Sequence, residues 1–315
     1  MSPSPSPSLS LPLDAERYHP DPREPVDRWF QTASASNVRT TMAVITDLVG
    51  PSCSAVVDPF AGGGSSATAA RLMNLPFFGI EIDPVLACVS LAKSRATVRH
   101  ARMLRRLPPI HDLKSLLSVL AMLPACGSVD EVTVASCLAV VLALRASRGT
   151  PLGYEEVTGD LARHRPPAAT SRLVCADATA PAGWRDLPVL KEGAVLYTSP
   201  QFGRRSPLLG APPRLTASAR DVLAAAQADH GREAAPQDSG FAATTAAMLR
   251  QAAAIIRRAT VVIEHEPDDD GHDATEEALE QIAAALPGRV HDARVIVCGQ
   301  FTWRGPLSLI AFDLR

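Results

Sequence analysis

Aromatic side chains are scarce: Trp, Tyr and Phe together make up 4% of the 315 residues. A core lacking them has to be aliphatic and alanine-rich, with helices that present small faces to one another. No apolar run reaches the roughly 18 residues of a membrane-spanning helix. The N-terminus is a Ser/Pro repeat, "MSPSPSPSLSLPLDAE", rather than a charged and then apolar leader. These absences lead us to expect a soluble, cytoplasmic protein with no membrane partner. No CxxC pair and no His/Cys spacing of the zinc type joins the six cysteines at 53, 88, 126, 137, 175 and 298. They read as buried small hydrophobes in a reducing compartment, and no metal site is expected. A surplus of positive charge is also missing. The formal net charge is −2, so any nucleic-acid contact must rely on local patches rather than on bulk charge.

Hydrophobic residues account for 46% of the chain, enough for one large α/β domain with an insertion or for two small domains. Residues 1–16 cannot bury enough apolar surface to order themselves and read as a disordered tail. Helical periodicity covers about Asn37 to Leu48. "SAVVDPF" reads as a strand ending at Asp58, "SSATAARLMN" as a helix and "PFFGIEID" as a second strand. Residues 84–106 read as one helix, 111–148 as two more, and 150–170 as a Pro/Gly-punctuated loop. Alternation then resumes with strands at "SRLVCADA", "GAVLYTSP" and "ATVVIEHE". Helices are expected at about 217–228, in "AATTAAMLRQAAAIIRR" and in "ATEEALEQIAAALPG". "RVHDARVIVCGQFTW" and "GPLSLIAFDL" read as a closing antiparallel pair. Strands alternating with helices predict a mostly parallel, doubly wound sheet. Four segments follow: the tail 1–16, an N-terminal part 17–96, a helical insertion 97–168 that is a possible substrate-binding subdomain, and a C-terminal part 169–315.

The chemistry concentrates in "VVDPFAGGGSSATAARLMNLPFFGIEIDP", residues 56–84. A glycine-rich turn between a strand and a helix lets backbone N–H groups approach a ligand closely. Gly62, Gly63 and Gly64 form one cluster that fits neither G-x-G-x-x-G nor a P-loop, since no GK[ST] follows. Asp58 stands directly before the turn. A carboxylate there repels a pyrophosphate and suits a cationic amino-acid moiety, which points to S-adenosylmethionine rather than NAD or ATP. Glu81 follows 23 residues later, at the end of the second strand, where doubly wound folds place the acid that accepts ribose hydroxyls. Asp83 is an alternative for that role.

This stretch resembles the cofactor motif, DPFxGSGTT followed by GIExxP, of the amino-methyltransferases that modify DNA. Their second signature, [DNS]PP[YFW], has a counterpart in "LYTSPQFG", residues 196–203. The resemblance covers roughly 45–95 and 170–205. It implies an α/β, class I methyltransferase fold: a Rossmann-like, doubly wound, seven-stranded sheet with the last strand antiparallel, plus the helical insertion. It also implies S-adenosyl-L-methionine as cofactor and DNA as partner, with the methyl group going to N4 of cytosine or N6 of adenine and a restriction partner left open. Asp58, Pro59, Phe60, Gly62 and Gly64 would hold the methionine end together with Gly63. Glu81 would take the ribose. "RLVCADATAP" resembles the segment whose acid lies near the adenine, here Asp177.

The second motif has a chemical logic. An exocyclic amino group is a poor nucleophile because its lone pair is delocalised into the ring. A side-chain oxygen and the next backbone carbonyl accept both amino hydrogens and free that lone pair. The resemblance assigns these roles to Ser199 and to the carbonyl of Pro200, with Phe202 stacking on the base. Gln201 departs from the pattern, because proline there would fix the preceding carbonyl. RNA, small-molecule and peptide acceptors therefore stay open, as does a non-catalytic cofactor-binding relative.

Four further stretches bear on substrate and site. "KSRATVRHARMLRR", 93–106, and "GRRSPLLGAPPR", 203–214, are candidate phosphate contacts through residues that include Arg204, Arg205 and Arg214; the alternative for the first is a solvated helix face. "EHEPDDDGHD", 264–273, reads as a solvated acidic loop. "YHPDPREPVDRWFQTASASN", 18–37, is a candidate cofactor-facing lead-in through Ser34, Ser36 and Asn37, with a helix cap as the alternative.

Overall fold

Two short apolar runs, Ala55–Asp58 (β1) and Phe77–Ile80 (β2), are buried along their whole length, as strands covered on both faces must be. In the computed structural model they lie side by side within a seven-stranded sheet. The structure describes residues 25–30, 38–164, 170–190, 193–199, 212–225, 240–265, 275–302 and 305–315, the side chains of 297–302 and 305–307 excepted. Arg172–Val174 (β3), Ala194–Thr198 (β4), Ala259–His265 (β5), Val290–Thr302 (β6) and Gly305–Leu314 (β7) complete the sheet. Its order is β3-β2-β1-β4-β5-β7-β6. The first five strands pair in parallel, with Val56 opposite Phe77 and Val195, and Tyr197 opposite Val262. β7 runs antiparallel to both β5 and β6, and the register of β6 on β7 shifts twice, between His291 and Arg294 and between Val297 and Phe301.

Alternation along the strands divides the core in two. Val56, Phe77, Leu173, Val195 and Tyr197 face Val38–Leu48 (α1), Ser65–Leu72 (α2) and Pro84–Arg95 (α3). Val57, Phe78, Ile80, Leu196 and Ile263 face the other layer. That layer consists of Ala182–Arg185, Phe241–Ile255 and Thr275–Ala285. An α/β fold with a doubly covered, mixed sheet is therefore present, and it is compatible with a Rossmann-like architecture.

Four expectations need correction. Residues 84–106 form two helices, α3 and Val98–Arg105 (α4). The chain becomes extended at Ala96 and Thr97, and the Thr97 N–H donates to His100 Nδ1 at 3.0 Å, starting a new helix. Leu113–Met122 (α5) and Val129–Ser147 (α6) follow as expected, but Tyr154–Arg163 (α7) lies where a loop was expected. Glu155 and Glu156 favour its N-terminus, Arg163 its C-terminus, and Val157 and Leu161 give it a buried stripe. Pro151, Gly153 and Gly159 had obscured that pattern. The helix expected at about 217–228 runs Pro213–Ala224 (α9, with Ala182–Arg185 as α8), because Pro213 occupies its first turn. Cys88 and Cys137 are buried as expected, whereas Cys126 is exposed. Among the described residues no helix is long and apolar enough to cross a membrane.

Candidate functional site

The sheet order reverses direction between β1 and β4, and open α/β sheets bind ligands outside the carboxyl ends of their strands at such a point. Asp58 ends β1, Glu81 follows β2, Asp177 lies three residues beyond β3 and Ser199 follows β4. The four candidates thus stand at the same edge of four neighbouring strands.

Asp58 is buried at 5% exposure. Its Oδ1 accepts from the Phe60 N–H at 3.0 Å and from Thr198 Oγ1 at 2.8 Å, and its Oδ2 accepts from Ser66 Oγ. One carboxylate therefore joins the end of β1, the start of α2 and the end of β4. Its acceptor positions are largely taken by groups of the protein itself, so its hydrogen bonds fix the shape of the loop. Burial raises its carboxyl to about 6 against the opposing effect of those hydrogen bonds.

Glu81 closes the other side of the loop. Its Oε2 accepts from the Gly62 N–H at 2.7 Å and its Oε1 from the Asp83 N–H at 2.8 Å. Burial, with a smaller contribution from the nearby acids Asp83 and Asp58, lifts it to about 7. Each oxygen keeps a lone pair for a hydroxyl donor. Asp83 instead caps α3, its Oδ1 accepting from Val85 N at 2.8 Å and from Leu86 N at 3.0 Å.

Gly62 and Gly64 adopt φ of 48° and 78°, conformations that disfavour residues with a side chain. At Gly64 space is short as well, since a Cβ would sit 2.8 Å from Ser90 Oγ and 2.9 Å from Ser90 Cα. Pro59 is buried and Phe60 half-buried beside them. Asp177 is half-buried and accepts from the N–H and Oγ1 of Thr179 at 2.8 and 2.7 Å, which fixes the turn after β3. Ser199 is half-buried. Pro200, Gln201, Phe202, Arg204, Arg205, Ser34, Ser36, Asn37 and most of the acidic loop lie outside the described residues.

Four of the six basic residues of 93–106 are paired within the chain, and Arg102 and Arg106 are exposed. Lys93 is fully buried and its Nζ donates to Asp27 Oδ1 at 2.8 Å and to the Phe30 carbonyl at 2.7 Å. Arg95 pairs with Asp130, Arg99 with Glu131 and Arg105 with Glu155. The phosphate-contact expectation gains nothing from these residues. An apolar cavity of about 500 Å³ opens between α5, α6 and α9, lined by Leu117, Leu120, Val132 and Val222. It contains none of the candidate site residues.

Ser66, Thr198 and Asp27 were missed as participants, and Lys93 was read only as part of a candidate phosphate-contact run. One signal existed for Lys93: α3 is apolar on nearly every side, so a lysine within it needs a buried partner. No family model matches the chain, and no curated protein is recognisably similar to it.

Proposed function

We propose that this chain is an S-adenosylmethionine-dependent N-methyltransferase of class I fold that acts on an exocyclic amino group of a DNA base, N4 of cytosine or N6 of adenine. The observation that carries this reading is the glycine loop held between two buried carboxylates, Asp58 and Glu81, at the ends of adjacent strands. The strand order with a reversed β7 supports the fold assignment. No Lys or Arg lies within the loop sequence 59–66 to hold a phosphate, and the acidic surroundings suit a sulfonium and an ammonium.

The cofactor supplies an electrophilic methyl group. In this reading Asp58 and the loop from Pro59 to Gly64 receive its cationic end, Glu81 accepts its ribose hydroxyls, and Asp177 lies beside its adenine. Ser199 Oγ and the Pro200 carbonyl accept the two amino hydrogens, and Phe202 stacks on the base. Catalysis then rests on positioning and on fixed dipoles, without a covalent intermediate. The Thr198–Asp58 hydrogen bond at 2.8 Å ties the strand that leads into this loop to the cofactor-side acid.

A second reading, transfer to RNA or to a small-molecule or peptide amine, is favoured by the internal pairing of Arg95, Arg99 and Arg105. Gln201 also leaves open a cofactor-binding relative without activity. Transfer of radiolabelled methyl from S-adenosylmethionine to DNA, to RNA and to a metabolite extract separates these readings. Label in DNA, lost in Ser199→Ala with cofactor binding retained, supports the first. Full DNA methylation by that variant refutes the assignment of the catalytic loop, and cofactor binding with no transfer to anything identifies the inactive relative.

A further inference from the structure

We infer that Asp160, on α7 in the helical segment between β2 and β3, is a positioning residue for the glycine loop, so that this segment is part of the cofactor site rather than a detachable module. The inference rests on the reading that the loop holds a cofactor.

Asp160 is fully buried. Its Oδ2 accepts from Arg28 Nε at 3.0 Å and from Trp29 Nε1 at 2.9 Å; its Oδ1 accepts from Arg28 Nη2 at 2.9 Å and from Arg163 Nη2 at 2.7 Å. Four donors nearly exhaust a carboxylate, and the Arg28 pair is the bidentate form that fixes orientation as well as distance. Glu156, one turn earlier on α7, adds a contact to Arg28 Nη1 at 2.8 Å. The guanidinium of Arg148, at the end of α6, lies 4.8 Å from the centroid of the Phe30 ring. The inserted helices therefore grip three consecutive residues, Arg28, Trp29 and Phe30, from two sides.

The other end of this short segment touches the loop. Asp27 Oδ1 accepts from Lys93 Nζ at 2.8 Å and from Ser65 Oγ at 3.4 Å, and the Phe30 carbonyl accepts from Lys93 Nζ at 2.7 Å. The Phe30 ring backs Gly63, where a Cβ would come within 3.2 Å of it, and the Lys93 stem backs Gly64 at the same distance. A chain of buried, directional contacts thus runs from Asp160 through residues 27–30 to Gly63, Gly64 and Ser65. Two elements joined in this way share a free energy. A change in how α7 holds Arg28 alters how well the loop is pre-formed, and a ligand that orders the loop tightens the hold on α7 by the same factor.

Asp160→Asn keeps the size and removes the charge. The control is Val157→Ala, which trims a buried apolar contact on the same helix. Titration calorimetry with S-adenosylmethionine, run below the melting transition of each variant, is expected to show about tenfold weaker binding for Asp160→Asn and unchanged binding for Val157→Ala. Hydrogen exchange of the ligand-free proteins is expected to show faster exchange across residues 62–66 in Asp160→Asn alone. Wild-type affinity and exchange in Asp160→Asn, or equal effects in both variants, overturn the inference. If wild-type protein binds no S-adenosylmethionine, the functional reading fails, and the exchange experiment still decides the coupling.

Discussion

Replacing Glu81 by glutamine should flatten the dependence of stability on pH. Burial holds the Glu81 carboxyl at about 7 in the folded protein against an ordinary value of 4.5. In that window the folded chain keeps a proton that the unfolded chain has released. The stabilisation is complete below pH 4.5 and is lost as pH rises through 7, since stability falls with pH wherever the native state binds more protons. At about 1.4 kcal/mol per pKa unit the shift corresponds to a loss of about 3 kcal/mol between pH 4.5 and 8. Asp58, raised from 3.8 to about 6, adds a loss of similar sign at lower pH. Urea unfolding of wild type and Glu81→Gln at half-unit steps from pH 5 to 8 isolates the first contribution. Over that range the wild-type curve should fall by about 2.5 kcal/mol more than that of the variant. Parallel curves would refute the assignment of a protonated, buried Glu81. A ligand whose hydroxyls donate to this carboxylate favours its charged form. Cofactor binding near pH 7 should therefore release protons, seen as a calorimetric enthalpy that varies with the ionisation enthalpy of the buffer.

Three further outcomes are expected. Gly64→Ala meets both a left-handed backbone and the Ser90 contacts, and should cost about 2–4 kcal/mol in chemical denaturation, whereas Gly50→Ala, with φ of 67° and open space, should cost about 1. Lys93→Met leaves Asp27 without its ammonium partner and should cost about 3–5 kcal/mol; the double variant Asp27→Asn/Lys93→Met should recover a large part, and no recovery would mean that the pair is not coupled. Asp83→Ala removes the α3 cap and should cost about 1 kcal/mol by thermal melting, with a much smaller effect on cofactor binding than Glu81→Ala.

The parts of this fold that were legible in the sequence are those set by local pattern. Ala55–Asp58 and Phe77–Ile80 could be read because a buried parallel strand is a short, unbroken apolar run with a turn signal after it. The placement of Asp58 and Glu81 at strand ends followed from the same runs. The helix Tyr154–Arg163 was hidden because its glycines and flanking prolines outweighed a stripe of only Val157 and Leu161. The roles of Lys93 and Asp160 were not legible for a different reason. Their partners lie 66 and 132 residues away in sequence, and no local periodicity reports a contact of that range. The pairings of Arg95, Arg99 and Arg105 were not legible for the same reason, because their acids sit on helices the chain reaches only later.

The two borders of the sheet have a consequence for how copies of this protein avoid one another. An unpaired strand edge is a template for fibrous assembly, most dangerous when long and regular. One border, Arg172–Val174, offers three residues beginning with an exposed arginine, too few to nucleate stacking. The opposite border, Val290–Thr302, is long, but its two register shifts divide it into stretches that pair in different frames. A neighbouring chain adding to it would lose its hydrogen-bond frame within a few residues. Deleting the surplus residues of this strand, one of the two between His291 and Arg294 and two of the three between Val297 and Phe301, would let it pair with β7 in one frame and should therefore make the protein precipitate on storage, without touching Asp58, Glu81, Asp177 or Ser199.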